Sequence, residues 1–216
     1  QKRDVLKANV EMLSLIGSAI SKRDSDTDEH NFRVTLYAIQ LAERMQLDTQ
    51  HRQSLLKGAF VHDIGKIAIS DNILLKPGKL TDDEFEQMKR HVKEGVDIIK
   101  SSLWLADAKD VVAYHHEKYN GQGYPFELSG QDIPINARIF AVVDVFDALT
   151  SKRPYKEAMP YDKAIAIIQN DAGNHFDPNV VKAFKAISQE MYDDITHLNR
   201  ESLSLRLESY IQRYFF

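Results

Sequence analysis

Residues 62 and 63, His-Asp, close an apolar run from Leu55 to Val61 and are followed by Ile64-Gly65-Lys66. A carboxylate buried there without a partner is costly, so a cation beside Asp63 is expected. Neighbouring residues on a helix diverge by about 100°. His62 and Asp63 can therefore each face a different ion of a close pair. His115-His116 ends a helical stretch ahead of Glu117 and a glycine loop, a moderately specific metal signal. Asp144 lies in the apolar run Ile139 to Asp147 and also needs a partner, and Asp147 repeats the question one turn later. Asp26 and His30 are four apart, hence on one helical face; taken alone, Asp24, Asp26 and Asp28 read better as polar residues ahead of a helix. His91, among Phe85, Met88, Val92 and Gly95, reads by itself as structural.

Together these histidines and aspartates form a donor set with no cysteine in the chain. Mixed imidazole and carboxylate ligands suit iron, manganese, zinc or cobalt. The set is larger than one ion needs, so two or three ions are expected, with Asp63 the best bridge. Paired ions about 4 Å apart activate a bridging water and clamp phosphoryl oxygens. Lys66, one turn after His62, is placed to stabilise developing charge or to protonate a leaving oxygen.

The elements that must carry these residues are helical. Apolar residues recur at helical spacing nearly throughout, and strand-type alternation is nearly absent. The spacing predicts helices over 31–45, 50–61, 103–116, 135–150, 161–170 and 178–187, and another from Thr81-Asp82-Asp83-Glu84, a capping-box pattern, to about Ile99. Residues 193–216 read as one further amphipathic helix. In the first segment Leu6, Val10, Leu13, Gly17 and Ile20 form a heptad seam. Two readings of it stand equally: a helix packing on its own domain, or the tail of a coiled-coil connector from an upstream sensor or receiver domain.

With 216 residues, 43% hydrophobic and 28% charged, the chain is long enough for a sizeable core without disulfides. A net charge of −4 argues against a DNA or RNA binder. No apolar stretch reaches the roughly 18 residues of a membrane span. The chain begins Gln1-Lys2-Arg3-Asp4 and reads as a fragment of a longer, cytoplasmic protein.

His62-Asp63-Ile64-Gly65-Lys66, His115-His116-Glu117, Gly123-Tyr124-Pro125 and Asp144 together resemble the HD-GYP family of bacterial cyclic-dinucleotide phosphodiesterases, a branch of the HD phosphohydrolases. The resemblance runs from about Ile20 to Ile187. It implies an all-α fold, an HD-domain helical core with an N-terminal helix and additional C-terminal helices. The implied organisation is a connector helix over 1–22, a catalytic domain over 23–190 and a C-terminal helix over 191–216. The metal ligands carry over to His30, His62, Asp63, His91, His115, His116 and Asp144, holding two or three irons, or manganese. The carboxylate that marks three-metal members is usually Glu; here it is Asp26, one methylene shorter.

The resemblance further implies hydrolysis of cyclic di-GMP to pGpG, and onward to GMP in some members. In the implied mechanism a metal-bridging hydroxide attacks the phosphodiester and Lys66 assists. Tyr124 lines the substrate pocket, and Arg153 and Lys156 contact phosphate. Two alternatives stand beside this reading: a cyclic GMP-AMP-specific phosphodiesterase, and a regulatory module that binds dinucleotide or a partner with little turnover. A homodimer through the N-terminal helix is a further expectation. His51, His175 and His197 match no ligand position and read as surface or local structural residues.

Overall fold

The computed structural model describes residues 2–24, 28–152 and 156–216. The expectations placed on Asp26 and Arg153 lie outside the described residues. Ten α-helices follow in chain order: α1 Lys2–Arg23, α2 Asp28–Arg44, α3 Thr49–Val61, α4 Asp71–Leu74, α5 Asp82–Ile99, α6 Lys109–Tyr114, α7 Ile135–Thr150, α8 Tyr161–Asn170, α9 Pro178–Ile195 and α10 Arg200–Phe215. Short 3₁₀ turns occupy Ile64–Ala68, Ala106–Ala108 and Gly130–Asp132. Among the described residues no strand forms, so the chain is all-α as its periodicity indicates. None of these helices is long and apolar enough to cross a membrane.

The core is built on α2, α3 and α7. Ile139, Phe140, Val142, Val143 and Phe146 of α7 are fully buried, which explains the apolar run along most of that helix. Helix α2 packs on α3, α7, α9 and α10. Local chemistry sets the helix starts. The Thr81 hydroxyl accepts from the Glu84 amide while the Glu84 carboxylate accepts from the Thr81 amide, the reciprocal cap read in the sequence. Asp48 caps α3 by accepting from the His51 amide at 2.8 Å.

Three helix boundaries differ from the sequence reading. Helix α2 begins at Asp28 rather than Asn31, because Asp28 and Glu29 suit a helix's first turn. The stretch expected as helix over 103–116 is helical only from Lys109. It is preceded by a turn in which Leu103 is fully exposed and the Trp104 carbonyl accepts from Lys57 at 2.9 Å. The tail is not one helix from residue 193: α9 continues to Ile195, and Asn199 caps a separate α10 through the Ser202 amide. The boundary read at 190 therefore falls inside α9. The seam of α1 turns inward. Leu13 is buried, Val10 and Ile20 are half-buried against the core, and Gly17 lets the helix approach Phe60 of α3.

One close approach matters for everything below. The 3₁₀ turn after Asp63 lies directly on α5: a Cβ at Gly65 would stand 1.8 Å from the His91 carbonyl oxygen and 2.5 Å from the Gly95 nitrogen. No side-chain rotation relieves a clash with backbone. Gly65→Ala should therefore cost about 3 kcal/mol and lower Tm by roughly 6–12 °C. Gly95→Ala should cost less, since the tight contact of its Cβ would be with the Val112 side chain at 2.9 Å and the nearest backbone atom, the Gly65 nitrogen, would stand at 3.4 Å. Thermal unfolding of the two variants checks this; equal, negligible losses would mean that the turn does not need its contact with α5.

Candidate metal centre and active site

Three histidines point inward: His62 just past the end of α3, His91 from the middle of α5 and His115 just past the end of α6. A backbone carbonyl oxygen can only accept, so a ring nitrogen facing one must carry the hydrogen. His62 Nδ1 faces the Ala59 oxygen at 2.7 Å, His91 Nδ1 the Met88 oxygen at 2.7 Å, and His115 Nδ1 the Val111 oxygen at 2.9 Å. In each neutral ring the Nε2 lone pair is left pointing into the centre. His30 is oriented differently. Its Nδ1 donates to Asp147 Oδ2 at 2.7 Å, and Asp147 is itself gripped by Arg33 through Nε at 2.6 Å and Nη2 at 3.0 Å. A carboxylate behind an imidazole in this way fixes the ring and raises its basicity as a ligand.

The inward atoms form two groups. Asp63, His91, His115 and His116 converge in one, and His30, His62 and Asp144 in the other, with the ligand atoms of each within 4.8 Å of one another. Asp63 lies between them. Its Oδ1 is 3.5 Å from His91 Nε2 and 3.9 Å from His115 Nε2, while its Oδ2 is 3.1 Å from His62 Nε2. His30 Nε2 is 3.4 Å from Asp144 Oδ1. Lys66 Nζ reaches Asp63 Oδ2 at 2.8 Å and Asp24 Oδ2 at 2.5 Å.

Electrostatics distinguish the two groups. Burial lowers the His115 imidazole to about 3 and holds His116 well below its ordinary value, with neighbouring histidines adding to the effect. Burial also lowers His91, against the pull of Asp63. These rings are neutral at pH 7 and ready to ligate. Burial opposes charge at His62 as well, but Asp63 and Asp144 outweigh it and lift the ring to about 9. Burial likewise disfavours the Asp63 carboxylate, yet Lys66 and His62 hold it well below the usual range. A proton held on His62 by two carboxylates marks a place where positive charge is stabilised.

The donor chemistry fits divalent ions. His115 Nε2 is buried with no hydrogen-bond partner, an orphaned acceptor facing a carboxylate oxygen. His91 Nε2 and His116 Nε2 stand 3.2 Å apart. Two acceptors at that distance repel unless a cation or a proton lies between them. Nitrogen and oxygen donors without thiolate suit first-row metals rather than magnesium or calcium.

The centre opens into a pocket of about 280 Å³ whose walls include Asp24, Lys66, Met88 and Tyr124. Tyr124 stacks on His116 with ring centroids 4.7 Å apart at 19°. Its loop is held by buried Glu117, whose oxygens accept from the Phe126 amide at 2.7 Å and the Leu128 amide at 3.0 Å. Gly123 is required there because a Cβ would stand 2.3 Å from the Lys118 nitrogen. A larger groove of about 680 Å³ between α2, α9 and α10 holds no such donor set; Arg206 and Arg213, which line it, are paired with Asp194 and Glu43.

The structure thus gathers His30, His62, Asp63, Lys66, His91, His115, His116, Tyr124 and Asp144 at one site. Lys156 does not line the pocket. Its Nζ is 3.5 Å from the oxygen of Ala148, which does. His51 serves the α3 cap, and His175 stacks on Phe176. Sequence reasoning missed Asp24 and the Arg33–Asp147 pair. The second had a signal: Arg33 follows His30, and Asp147 follows Asp144, at the same spacing of three. Asp24 had none, because its direct contact with Lys66 joins residues 42 apart in sequence; beside it Arg23 clamps the Ile69 carbonyl at 2.8 Å and Asp71 at 3.0 Å.

The family model described as HD domain matches residues 14–180. A cyclic di-GMP phosphodiesterase of Vibrio cholerae is 42% identical over 204 residues, covering 88% of this chain and 41% of the relative. A cyclic di-GMP phosphodiesterase response regulator of Xanthomonas campestris pv. campestris is 44% identical over 175 residues, covering 80% and 46%. The chain spans less than half the length of these relatives. The crystal structure of a cyclic GMP-AMP-specific phosphodiesterase from V. cholerae superposes with a TM-score of 0.74 at 16% identity, covering 92% of this chain and 52% of that one, a likeness of fold. From the matched span, the all-α core and the paired His/Asp groups, the chain belongs to the HD-domain family, with the motif set of its HD-GYP branch.

Proposed function

We propose that this chain is a metal-dependent phosphodiesterase that hydrolyses cyclic di-GMP. The observation that carries the reading is the placement of Asp63, whose two oxygens face two separate groups of histidines while Lys66 reaches the same carboxylate inside an open pocket. The first two relatives named above are cyclic di-GMP phosphodiesterases, which favours this substrate. His91, His115 and His116 would hold one ion and His30, His62 and Asp144 another, with Asp63 shared. Iron is the metal we favour, with manganese as the alternative. Asp26, four residues before His30 in sequence, would serve a third ion. When bound, such ions supply Lewis-acid polarisation of the phosphoryl oxygens and an activated water.

The protein's own groups do the rest. Asp147 and the three backbone carbonyls keep the imidazoles aimed. Lys66, held between Asp63 and Asp24, offers its ammonium to the charge that develops on the phosphoryl group and a proton to the departing ribose oxygen. One water is added and one phosphorus–oxygen bond breaks, which opens the ring to pGpG. Tyr124 walls the pocket, and Lys156 lies close enough to its rim to meet a phosphate.

Protein loaded anaerobically with ferrous iron should convert cyclic di-GMP to pGpG or GMP, and a chelated control should not. Lys66→Ala should lower turnover at least a hundredfold while keeping its metal; Asp63→Ala should lose both. Product chromatography and metal analysis of the same samples read this out. Full activity in Lys66→Ala would remove the role given to Lys66, and no product from loaded wild-type protein would overturn the substrate.

Metal affinity should depend on pH. His62 is raised to about 9, so below that pH binding an ion must release its proton, while His115 stays neutral down to about 3. Affinity should fall about tenfold per pH unit between pH 8.5 and 7, with close to one proton released. Manganese titrations in buffers of different ionisation heat measure both; a flat profile would mean that His62 gives up no proton to the ion in this range. Asp147→Asn, which loosens His30, should weaken metal binding by roughly 10- to 100-fold. The same titration at a single pH checks it, and an unchanged affinity would show that His30 needs no anchor.

A further inference from the structure

The metal groups handle a phosphodiester and say nothing of the bases attached to it. A structure that can read a base lies on α5. Phe85 and Lys89 are four apart on that helix and so share a face, beside Met88, which lines the pocket. The Lys89 ammonium stands 5.3 Å from the centre of the Tyr124 ring and 5.0 Å from that of Phe85. The two rings meet edge to face at 5.9 Å and 82°. Tyr124 in turn stacks on His116, so this aromatic corner is continuous with the metal groups.

We propose that Lys89 selects the base: it places a guanine of the dinucleotide against Tyr124 and Phe85 by donating to the guanine O6 and N7 atoms. Resting on the phosphodiesterase reading above, this names what that pocket prefers. Base stacking on aromatic rings is indifferent to sequence because every base has a π face. The edge decides. Guanine presents two acceptors, O6 and N7, which match an ammonium that can only donate; adenine presents an amino donor at the equivalent of O6. Lys89 is held meanwhile by Glu86 at 2.5 Å, an ion pair whose carboxylate is 69% exposed. Exchanging so exposed a partner for a base edge costs little.

The experiment measures binding of hydrolysis-resistant bis-phosphorothioate analogues of cyclic di-GMP and cyclic di-AMP to metal-loaded wild type, Lys89→Met and Lys89→Arg by isothermal titration. Turnover of the parent dinucleotides is followed in parallel. Wild type should prefer the guanine analogue. Lys89→Met should weaken the guanine analogue about tenfold and the adenine analogue less than twofold, and Lys89→Arg, which keeps the donors, should retain the preference. Equal weakening of both analogues, or a guanine preference that survives Lys89→Met, overturns the assignment, as does wild type that binds neither. Lys89-dependent guanine binding without any turnover supports Lys89 and counts against the phosphodiesterase reading, so the two failures are distinct.

Discussion

A carboxylate in a dry interior must be met by positive charge, and Asp63 imposes that condition on the whole molecule. It lies among histidines and a lysine, and of the described residues Lys66 and the imidazolium of His62 answer its charge most strongly. The other rings close to it are neutral by burial and offer lone pairs instead. A site with two inward carboxylates and the orphaned His115 Nε2 acceptor is suited to divalent ions. That surplus of nitrogen and oxygen donors distinguishes it from an ordinary buried ion pair.

Presenting lone pairs rather than N–H groups requires control of tautomers, and the helices provide it. Ala59, Met88 and Val111 each give a carbonyl to the Nδ1–H of a histidine three or four residues on, so the rings cannot turn without losing a buried hydrogen bond. The same helices must then come close enough for the Nε2 atoms to converge. Gly65 sets that approach, since the turn carrying Asp63 rests on the backbone of α5 at His91. Core packing and ligand geometry are thus one constraint: α5 cannot be displaced outward without withdrawing His91.

Around this rigid centre the support is asymmetric. His30 depends on a side-chain relay through Asp147 and Arg33, held low, at about 2 for Asp147, because His30 and Arg33 together outweigh burial. The opposite wall depends on a loop, with Glu117 tying the Phe126 and Leu128 amides and Tyr124 resting on His116. Helix α5 serves both sides of the pocket mouth, offering His91 to the ions and Lys89 with Phe85 to what lies beyond them. Chemistry and selection are therefore mounted on one element.

Much of this was readable in the chain itself. Helical periodicity established the all-α class, and α7 and α8 run over the residues the spacing marked. The Thr81–Glu84 box also announced its helix, because capping and periodicity are local and act between residues a turn or two apart. Part of the donor set was legible for the same reason: His-Asp or His-His in apolar surroundings is anomalous wherever the chain goes, whereas His30 and His91 stood out only through the family resemblance. Contacts between distant segments were not legible. Nothing local pairs Asp24 with Lys66, Arg33 with Asp147 or Lys89 with Tyr124, since those distances arise only when α1, α2, α5 and α7 pack. Nor could the heptad seam of α1 tell whether it faced another chain or its own core; apolar spacing records that a face is to be buried, and only the packed structure supplies the surface that buries it.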